Sequence, residues 1–250
     1  MREPNPVIEI NKYNLAWRRN LPVVKSGKDF FDEKNKIINP FYHEIFEQYF
    51  MNKWLKPDDV VLELGGRYGI VSCTINSIIK NKKNQVVVEP DKTVLNALKK
   101  NKKTFGAKFS ICNKALSDKP LKMTTKGLSS FTEESKMKIN NKNVVNKNLV
   151  NKNLVNKNLV NIKFTDFMEK YNLKFNVLVA DCEGCLYSFL NDAPLALLKN
   201  IEMIIFEKDG IEYTNYEEIY KKLKRRKFIK VDTLLDDFQQ VWIRVIKTKI

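Results

Sequence analysis

From position 60 onward, short apolar runs alternate with stretches of helical periodicity, an order that few folds accommodate. The runs are 60–64 (VVLEL), 85–89 (QVVVE), 108–112 (KFSIC), 175–181 (FNVLVAD) and 201–207 (IEMIIFE). Continuous Val/Ile/Leu runs, as opposed to strict apolar–polar alternation, mark strands buried on both faces. The helical stretches 70–80, 93–103, 186–190 and 195–199 supply the layers that cover them. This βαβ rhythm predicts an α/β fold of the Rossmann-like class, a mostly parallel sheet with helices on both faces. The end of the chain breaks the rhythm. A helix over 216–226 is followed by KFIKVD at 227–232 and QQVWIRVI at 239–246, joined by an Asp-rich segment. That pattern predicts a C-terminal antiparallel hairpin at the sheet edge.

Two segments stand outside the rhythm. Residues 1–40 are rich in Pro and charge, with isolated aromatics at Tyr13, Trp17, Phe30 and Phe31. They read as an N-terminal extension that packs a few anchors onto one main domain, 41–250. That domain opens with Phe41, Tyr42, Ile45, Phe46, Tyr49, Phe50 and Trp54 at helical spacing, an amphipathic helix ending near Pro57. Residues 141–160 carry NKNVV and then three copies of NKNLV. A five-residue period fits neither a helix nor a strand. The segment is expected to be a low-complexity insertion, mobile or loosely helical, ahead of a binding device.

At 250 residues and 43% hydrophobic content the chain can bury a sizeable core and fits one such domain. No apolar run approaches the roughly 20 residues that cross a bilayer, and the N-terminal MREPNPVIEI has no apolar signal core, so the expected location is the cytoplasm, with no membrane partner. Cys73, Cys112, Cys182 and Cys185 lie in or beside apolar runs, so small buried thiols in a reducing compartment are expected over a disulfide framework. Cys182 and Cys185 form a CxxC, which a thiol redox site would also use, but thiol chemistry leaves the features described next unexplained. Zinc would need two further ligands, and Cys73, Cys112 and the lone His43 offer no matching spacing, so no metal is expected. The net charge of +16 favours anionic partners at long range. Its lysines are scattered through Asn-Lys tracts, however, so solvated surface is favoured over a nucleic-acid interface.

Chemistry concentrates at three places. In Val60-Val61-Leu62-Glu63-Leu64-Gly65-Gly66-Arg67-Tyr68-Gly69 a buried strand ends in an acid, turns through glycines and enters a helix. Glycines let the backbone turn sharply and approach a ligand, and the helix N-terminus offers free N–H groups. A dinucleotide fingerprint aligned on Gly66 and Gly69 would need glycine where Leu64 stands. The carboxylate of Glu63 opposes a pyrophosphate but suits S-adenosylmethionine, which carries an ammonium and no phosphate. Next, Glu89 closes the following strand about 20 residues beyond the loop, where an acid accepts hydrogen bonds from ribose hydroxyls. Finally, Asp181-Cys182-Glu183-Gly184-Cys185 ends a wholly apolar strand. Two carboxylates there lie where α/β sheets hold ligands, and Asp181 and Glu183 are the candidates for orienting or deprotonating an acceptor hydroxyl. The alternative is that they cap the next helix. His43 is a reserve general base, or a structural histidine on an aromatic helix.

These motifs, in order, resemble the FkbM-type methyltransferases: Glu63-Leu64-Gly65-Gly66-Arg67-Tyr68-Gly69, Val88-Glu89-Pro90, Ala115-Leu116-Ser117-Asp118, Asp181-Cys182-Glu183-Gly184 and Ile205-Phe206-Glu207. The match runs from about Val60 to Gly210. Arg67 replaces the family's loop Asn, in a position to pair with the cofactor carboxylate, and Leu186 stands where an acid often follows the Glu-Gly pair. The resemblance implies a Rossmann-like methyltransferase fold and O-methylation of a sugar or other small hydroxylated acceptor. Glu63, Gly65, Gly66, Arg67, Gly69, Glu89 and Pro90 would hold S-adenosylmethionine, with Ala115 and Asp118 near adenine and Asp181 with Glu183 toward the acceptor. Two alternatives stand beside it: an RNA methyltransferase exploiting the charge, and a non-catalytic scaffold on a decayed methyltransferase fold. A divalent metal shared by Asp181, Glu183 and Glu207 is conceivable and not adopted.

Overall fold

All five apolar runs form strands. The computed structural model describes residues 15–126, 129–134, 155–209, 211 and 214–245, and in it the runs are Val61–Leu64 (β1), Gln85–Val88 (β2), Ser110–Cys112 (β3), Val177–Ala180 (β4) and Met203–Glu207 (β5). Strands β1, β2 and β4 are buried at every position, as strands covered on both faces must be. The five pair in parallel in the order β3-β2-β1-β4-β5. Phe228–Leu234 (β6) and Gln239–Arg244 (β7) make the expected hairpin, with β7 antiparallel to β5 and β6 at the edge. Its turn needs three residues at positive φ, Leu235, Asp236 and Asp237, two of them of the short polar kind that adopts this conformation locally.

The full order, β6-β7-β5-β4-β1-β2-β3, is a Rossmann-like arrangement closed by an antiparallel hairpin. The chain winds outward from β1 to β3 and then returns to β4 on the other side of β1. That reversal leaves a crevice at the carboxyl ends of β1 and β4, where open α/β sheets hold ligands.

Alternation along each strand sends neighbouring side chains to opposite faces. On one face Val61, Val177, Val179 and Ile205 pack against Phe50 and Met51 of Ile45–Trp54 (α1) and Val71 and Ile75 of Ile70–Ile78 (α2). A separate cluster joins Val87 and Phe109 to Leu98 of Leu95–Thr104 (α3). On the other face Leu62, Leu64, Leu178 and Ile204 meet Phe164–Tyr171 (α4), Cys185–Asp192 (α5), Leu195–Leu198 (α6) and Tyr216–Arg225 (α7). Helix α4 was not anticipated, although Phe164, Phe167, Met168 and Tyr171 follow the helical period. Helix α1 starts later than expected, because Glu44 at φ 49 is left-handed and separates Phe41 and Tyr42 from the regular turns.

Within the described part of the N-terminal segment, residues 15–40, Trp17, Phe30 and Phe31 pack onto the rest of the fold or pair within the segment. Phe30–Phe31 pairs antiparallel with Ile37–Ile38, Phe30 is wholly buried and stacks on Phe105 at 4.1 Å between centroids, and Trp17 meets Tyr49. Tyr13 lies outside the described residues, as does 141–154 of the repeat. The remainder of the repeat corrects the expectation of loose helix: Val155–Asn158 is a strand, antiparallel to Leu121–Lys126, which also pairs with Ser129–Glu134. Pairing along one edge satisfies the backbone N–H and C=O groups that face Leu121–Lys126, which the five-residue side-chain period says nothing about.

Candidate functional site

Strand β1 ends at the crevice and the chain turns through Gly65 at φ 90, Arg67 at φ 36 and Gly69 at φ 83 before entering α2. The turn is tight against its neighbours. A Cβ on Gly65 would overlap the carbonyl oxygen of Asp181 at the end of β4, and one on Gly66 would overlap the Val87 side chain on β2. The loop is therefore seated directly between the two strands that flank β1.

The two acids predicted to contact a cofactor are integrated into this loop. Glu63 is 1% exposed, and its carboxylate accepts from Ser72 Oγ at 2.7 Å and Gln85 Nε2 at 2.9 Å. Burial drives its pKa up to about 8 in spite of those donors. One oxygen of Glu89 accepts from the backbone N–H of Arg67 at 2.8 Å and Gly66 at 3.2 Å, and the other from Asp91 at 2.7 Å. Glu89 thus ties the glycine loop to the end of β2, with Pro90 half-buried beside it. Ala115 is buried in a short parallel pairing with Asn161, and Asp118 accepts from the Phe164 N–H at 3.0 Å, capping α4. Neither is among the residues that line the cleft described next.

Beside the loop lies a narrow cleft that opens to solvent, and it is acidic. Glu44 and Glu47 reach it from the start of α1, Glu63 from β1, Asp181 from the end of β4 and Glu207 from β5; Gly65, Gly66 and Arg67 of the loop also line it, whereas Gly69, Glu89 and Pro90 do not. Gln239 on β7 donates one amide nitrogen to both Glu47, at 2.5 Å, and Glu207, at 2.6 Å. One oxygen from each of Glu47, Asp181 and Glu207 falls within 4.8 Å of the others. Burial first, then mutual repulsion, raises the pKa of Asp181 and Glu207 well above the carboxylate range, and brings Glu44 to about 7. So many carboxylates in one cleft favour a cationic group, and the triad could hold a hard divalent ion. A carboxylate whose pKa is raised toward neutrality is also suited to accepting a proton.

Sequence had singled out Asp181 and Glu183 as a pair, and the structure separates them. Asp181 lines the cleft, whereas Glu183 is not among its lining residues and sits in a left-handed turn, φ 53, followed by Gly184 at φ 87. The carboxylate of Asp209 holds that turn: it accepts the N–H of Glu183 on one oxygen and that of Gly184, at 2.8 Å, on the other. Burial and the neighbouring Glu183 push Asp209 up to about 7, and the Tyr216 hydroxyl donates to it as well. The turn corrects the expectation for the cysteines. Cys182 and Cys185 are joined in a disulfide with their Cα atoms 5.4 Å apart, because two successive left-handed residues fold the CxxC segment back on itself. Cys73 and Cys112 are buried free thiols, as expected. His43 is exposed and is not among the lining residues.

Glu44, Glu47, Asp209 and Gln239 escaped sequence reading. The two glutamates lie on a helix recognised by its apolar stripe, which identifies the buried face and not the end that reaches the crevice. Asp209 lies two positions past Glu207, at a strand end that the sequence motifs already mark.

The chain matches no protein-family model and no curated protein. Among solved structures it is similar to a ribosomal protein L11 methylase from Lactobacillus delbrueckii subsp. bulgaricus, with 10% identity and a TM-score of 0.48 over 86% of this chain and 80% of that one. An rRNA methylase from Streptococcus thermophilus is similar at 9% identity and a TM-score of 0.47, over 84% of this chain and 99% of that one. A precorrin-6y C5,15-methyltransferase from Geobacter metallireducens follows at 11% identity and 0.43, over 79% and 85% of the two chains. Among the described residues no helix is long and apolar enough to cross a membrane.

Proposed function

We propose that this chain is an S-adenosylmethionine-dependent methyltransferase of the FkbM kind, acting on an oxygen of a sugar or other small hydroxylated acceptor. The observation that carries the proposal is the acid-lined cleft at the sheet's point of reversal, with Gly65, Gly66 and Arg67 of the glycine turn in its lining. The donor set fits the cofactor: several carboxylates for a cation, one guanidinium for a carboxylate, and glycine backbone for close approach. When bound, S-adenosylmethionine supplies a methyl group already made electrophilic by its sulfonium.

The remaining tasks fall to the chain. Arg67 pairs with the cofactor carboxylate, and Glu44, Glu47 and Glu63, which all line the cleft, attract its ammonium. Glu89 and Pro90 lie outside the lining of this cleft, and their assignment to the ribose rests on the place of Glu89 at the end of β2; the resemblance assigns Ala115 and Asp118 to the adenine side. Asp181 removes the proton from the acceptor hydroxyl, and Glu183 acts through the turn that sets the direction of Asp181. Alignment of acceptor and methyl, together with one proton transfer, is most of what such a displacement asks of a protein. The same carboxylates oppose a phosphate chain at the cleft, which favours a small acceptor over RNA despite the +16 net charge.

Calorimetric titration of S-adenosylmethionine and S-adenosylhomocysteine tests the proposal. Wild type is expected to bind both, Glu89→Ala to bind at least about tenfold more weakly, and Asp181→Asn to keep binding while losing about 10²-fold or more in methyl transfer to a sugar acceptor. Absence of binding to wild type would overturn the enzyme and leave a scaffold role on the same fold.

A further inference from the structure

The Cys182–Cys185 pair is poorly placed to be a stability staple. It closes a ring with a sequence separation of 3, the kind of short loop from which a cross-link removes least chain entropy. Asp209 holds the same backbone from outside the ring, through the amides of Glu183 and Gly184, so the turn has two fastenings, of which a reductant can undo only the covalent one. Both cysteines are only partly buried, whereas Cys73 and Cys112 are fully so. Among the described residues the pair therefore offers the accessible cysteine chemistry.

Its position gives that chemistry a consequence. Cys182 directly follows Asp181, and a Cβ on Gly65 would meet not only the Asp181 carbonyl but also Cys182 Cα, at 3.3 Å. The disulfide-bearing turn is thus the wall against which the glycine loop is seated. Glu183 carries a side chain in the left-handed region, φ 53, where such residues are disfavoured. A covalent ring that encloses it helps keep it there, and opening the ring lets the turn relax.

We propose that Cys182 and Cys185 form a reversible thiol–disulfide exchange site, and that reduction by a dithiol loosens the turn between Asp181 and α5 and so weakens the adjoining glycine loop as a ligand site. In the exchange a thiolate of the reductant attacks one sulfur of the pair, and the Sγ–Sγ bond breaks. The other sulfur leaves as a thiolate and takes a proton. The second thiol of the reductant, as its thiolate, then displaces the first cysteine from the mixed disulfide. The protein pair gains two electrons and two protons, and the dithiol becomes a disulfide. The part of the inference that concerns S-adenosylmethionine rests on the function proposed above.

The test uses the folded full-length chain equilibrated in dithiothreitol buffers of graded reduced-to-oxidised ratio, trapped with iodoacetamide and mapped by mass spectrometry. Cys182 and Cys185 are expected to become labelled together on reduction and to lose labelling again in oxidised buffer, with Cys73 and Cys112 unlabelled throughout. Amide hydrogen exchange at 65–69 is expected to speed up about tenfold on reduction of wild type and to be insensitive to redox buffer in Cys185→Ser. S-adenosylhomocysteine affinity is expected to fall at least about fivefold on reduction. Labelling only after denaturation, labelling that oxidised buffer cannot reverse, or exchange at 65–69 that ignores the redox state would each overturn the proposal. If S-adenosylhomocysteine binds in neither state, the methyltransferase assignment fails while labelling and hydrogen exchange still decide the thiol site.

Discussion

Gly184 donates its backbone N–H to Asp209 at 2.8 Å, so the turn that follows β4 is fastened by a residue just beyond the end of β5. The same carboxylate accepts from Glu183 and from the Tyr216 hydroxyl, and it is 8% exposed. Replacing it strands buried donors. Asp209→Ala is expected to cost about 1–3 kcal/mol, with Asp209→Asn milder because one acceptor oxygen survives. Urea unfolding at pH 7 measures both, and an alanine variant as stable as wild type would show that the turn holds without it.

Buried carboxylates also set the direction of the pH dependence. Burial raises Glu63 to about 8 and Glu44 to about 7, so the folded chain retains protons that the unfolded chain gives up above the ordinary carboxylate range. Where the folded state binds more protons, stability falls as pH rises, here from the unfolded value near 4.3 up to the folded value, by at most about 1.4 kcal/mol per pH unit for each group. Stability is therefore expected to decline from pH 5 toward pH 8, and Glu63→Gln should flatten that decline. Unfolding curves across the range give the two slopes, and equal slopes would mean that Glu63 is charged in the folded protein.

The loop glycines differ in what they are for. Gly65 and Gly106 both have positive φ, 90 and 68, but a Cβ at Gly65 would strike the Asp181 carbonyl, whereas at Gly106 it would meet nothing within 4 Å. Gly106→Ala is expected to cost only the conformational strain, about 1 kcal/mol. Gly65→Ala adds backbone displacement, so a loss of about 3 kcal/mol or more and of S-adenosylhomocysteine binding is expected. Comparable losses at the two sites, measured by thermal unfolding and calorimetry, would remove the claim that close approach to β4 is what position 65 requires.

What was legible in advance follows from which interactions are local. Strands such as 61–64 and 177–180 declared themselves because burial on both faces forces unbroken apolar runs, and the glycine turn because left-handed backbone favours glycine. Helix α4 is less legible, because it is only about two turns long and follows closely on the Asn-Lys repeat, so the spacing of Phe164, Phe167 and Tyr171 is brief. The acidity of the cleft is readable only in part: Glu63, Asp181 and Glu207 stand out at strand ends, whereas Glu44, Glu47 and Gln239 come from other elements and meet them only through sheet order. Nor could CxxC reveal its oxidation, which depends on two left-handed residues, one of them the glutamate at 183.

Residues at the start of the chain bear on the site through Asn101. This wholly buried side chain of α3 accepts from the Phe31 N–H at 3.0 Å and donates to the carbonyls of Phe31, at 2.9 Å, and Tyr68, at 2.8 Å. The N-terminal hairpin and the glycine loop are thus fastened to one amide group, and Phe30 fixes the hairpin by filling the core against Phe105. Phe30→Ala is expected to cost about 3–5 kcal/mol, as for other large side chains removed from a packed interior. Ile37, across the same hairpin but 65% exposed, should tolerate alanine within about 0.5 kcal/mol. Because the hairpin orients Asn101, and Asn101 the Tyr68 carbonyl, Phe30→Ala should also weaken S-adenosylhomocysteine binding under conditions where the variant remains folded, and Ile37→Ala should not. Equal affinity for both variants would show that the glycine loop is held by β2 and β4 alone.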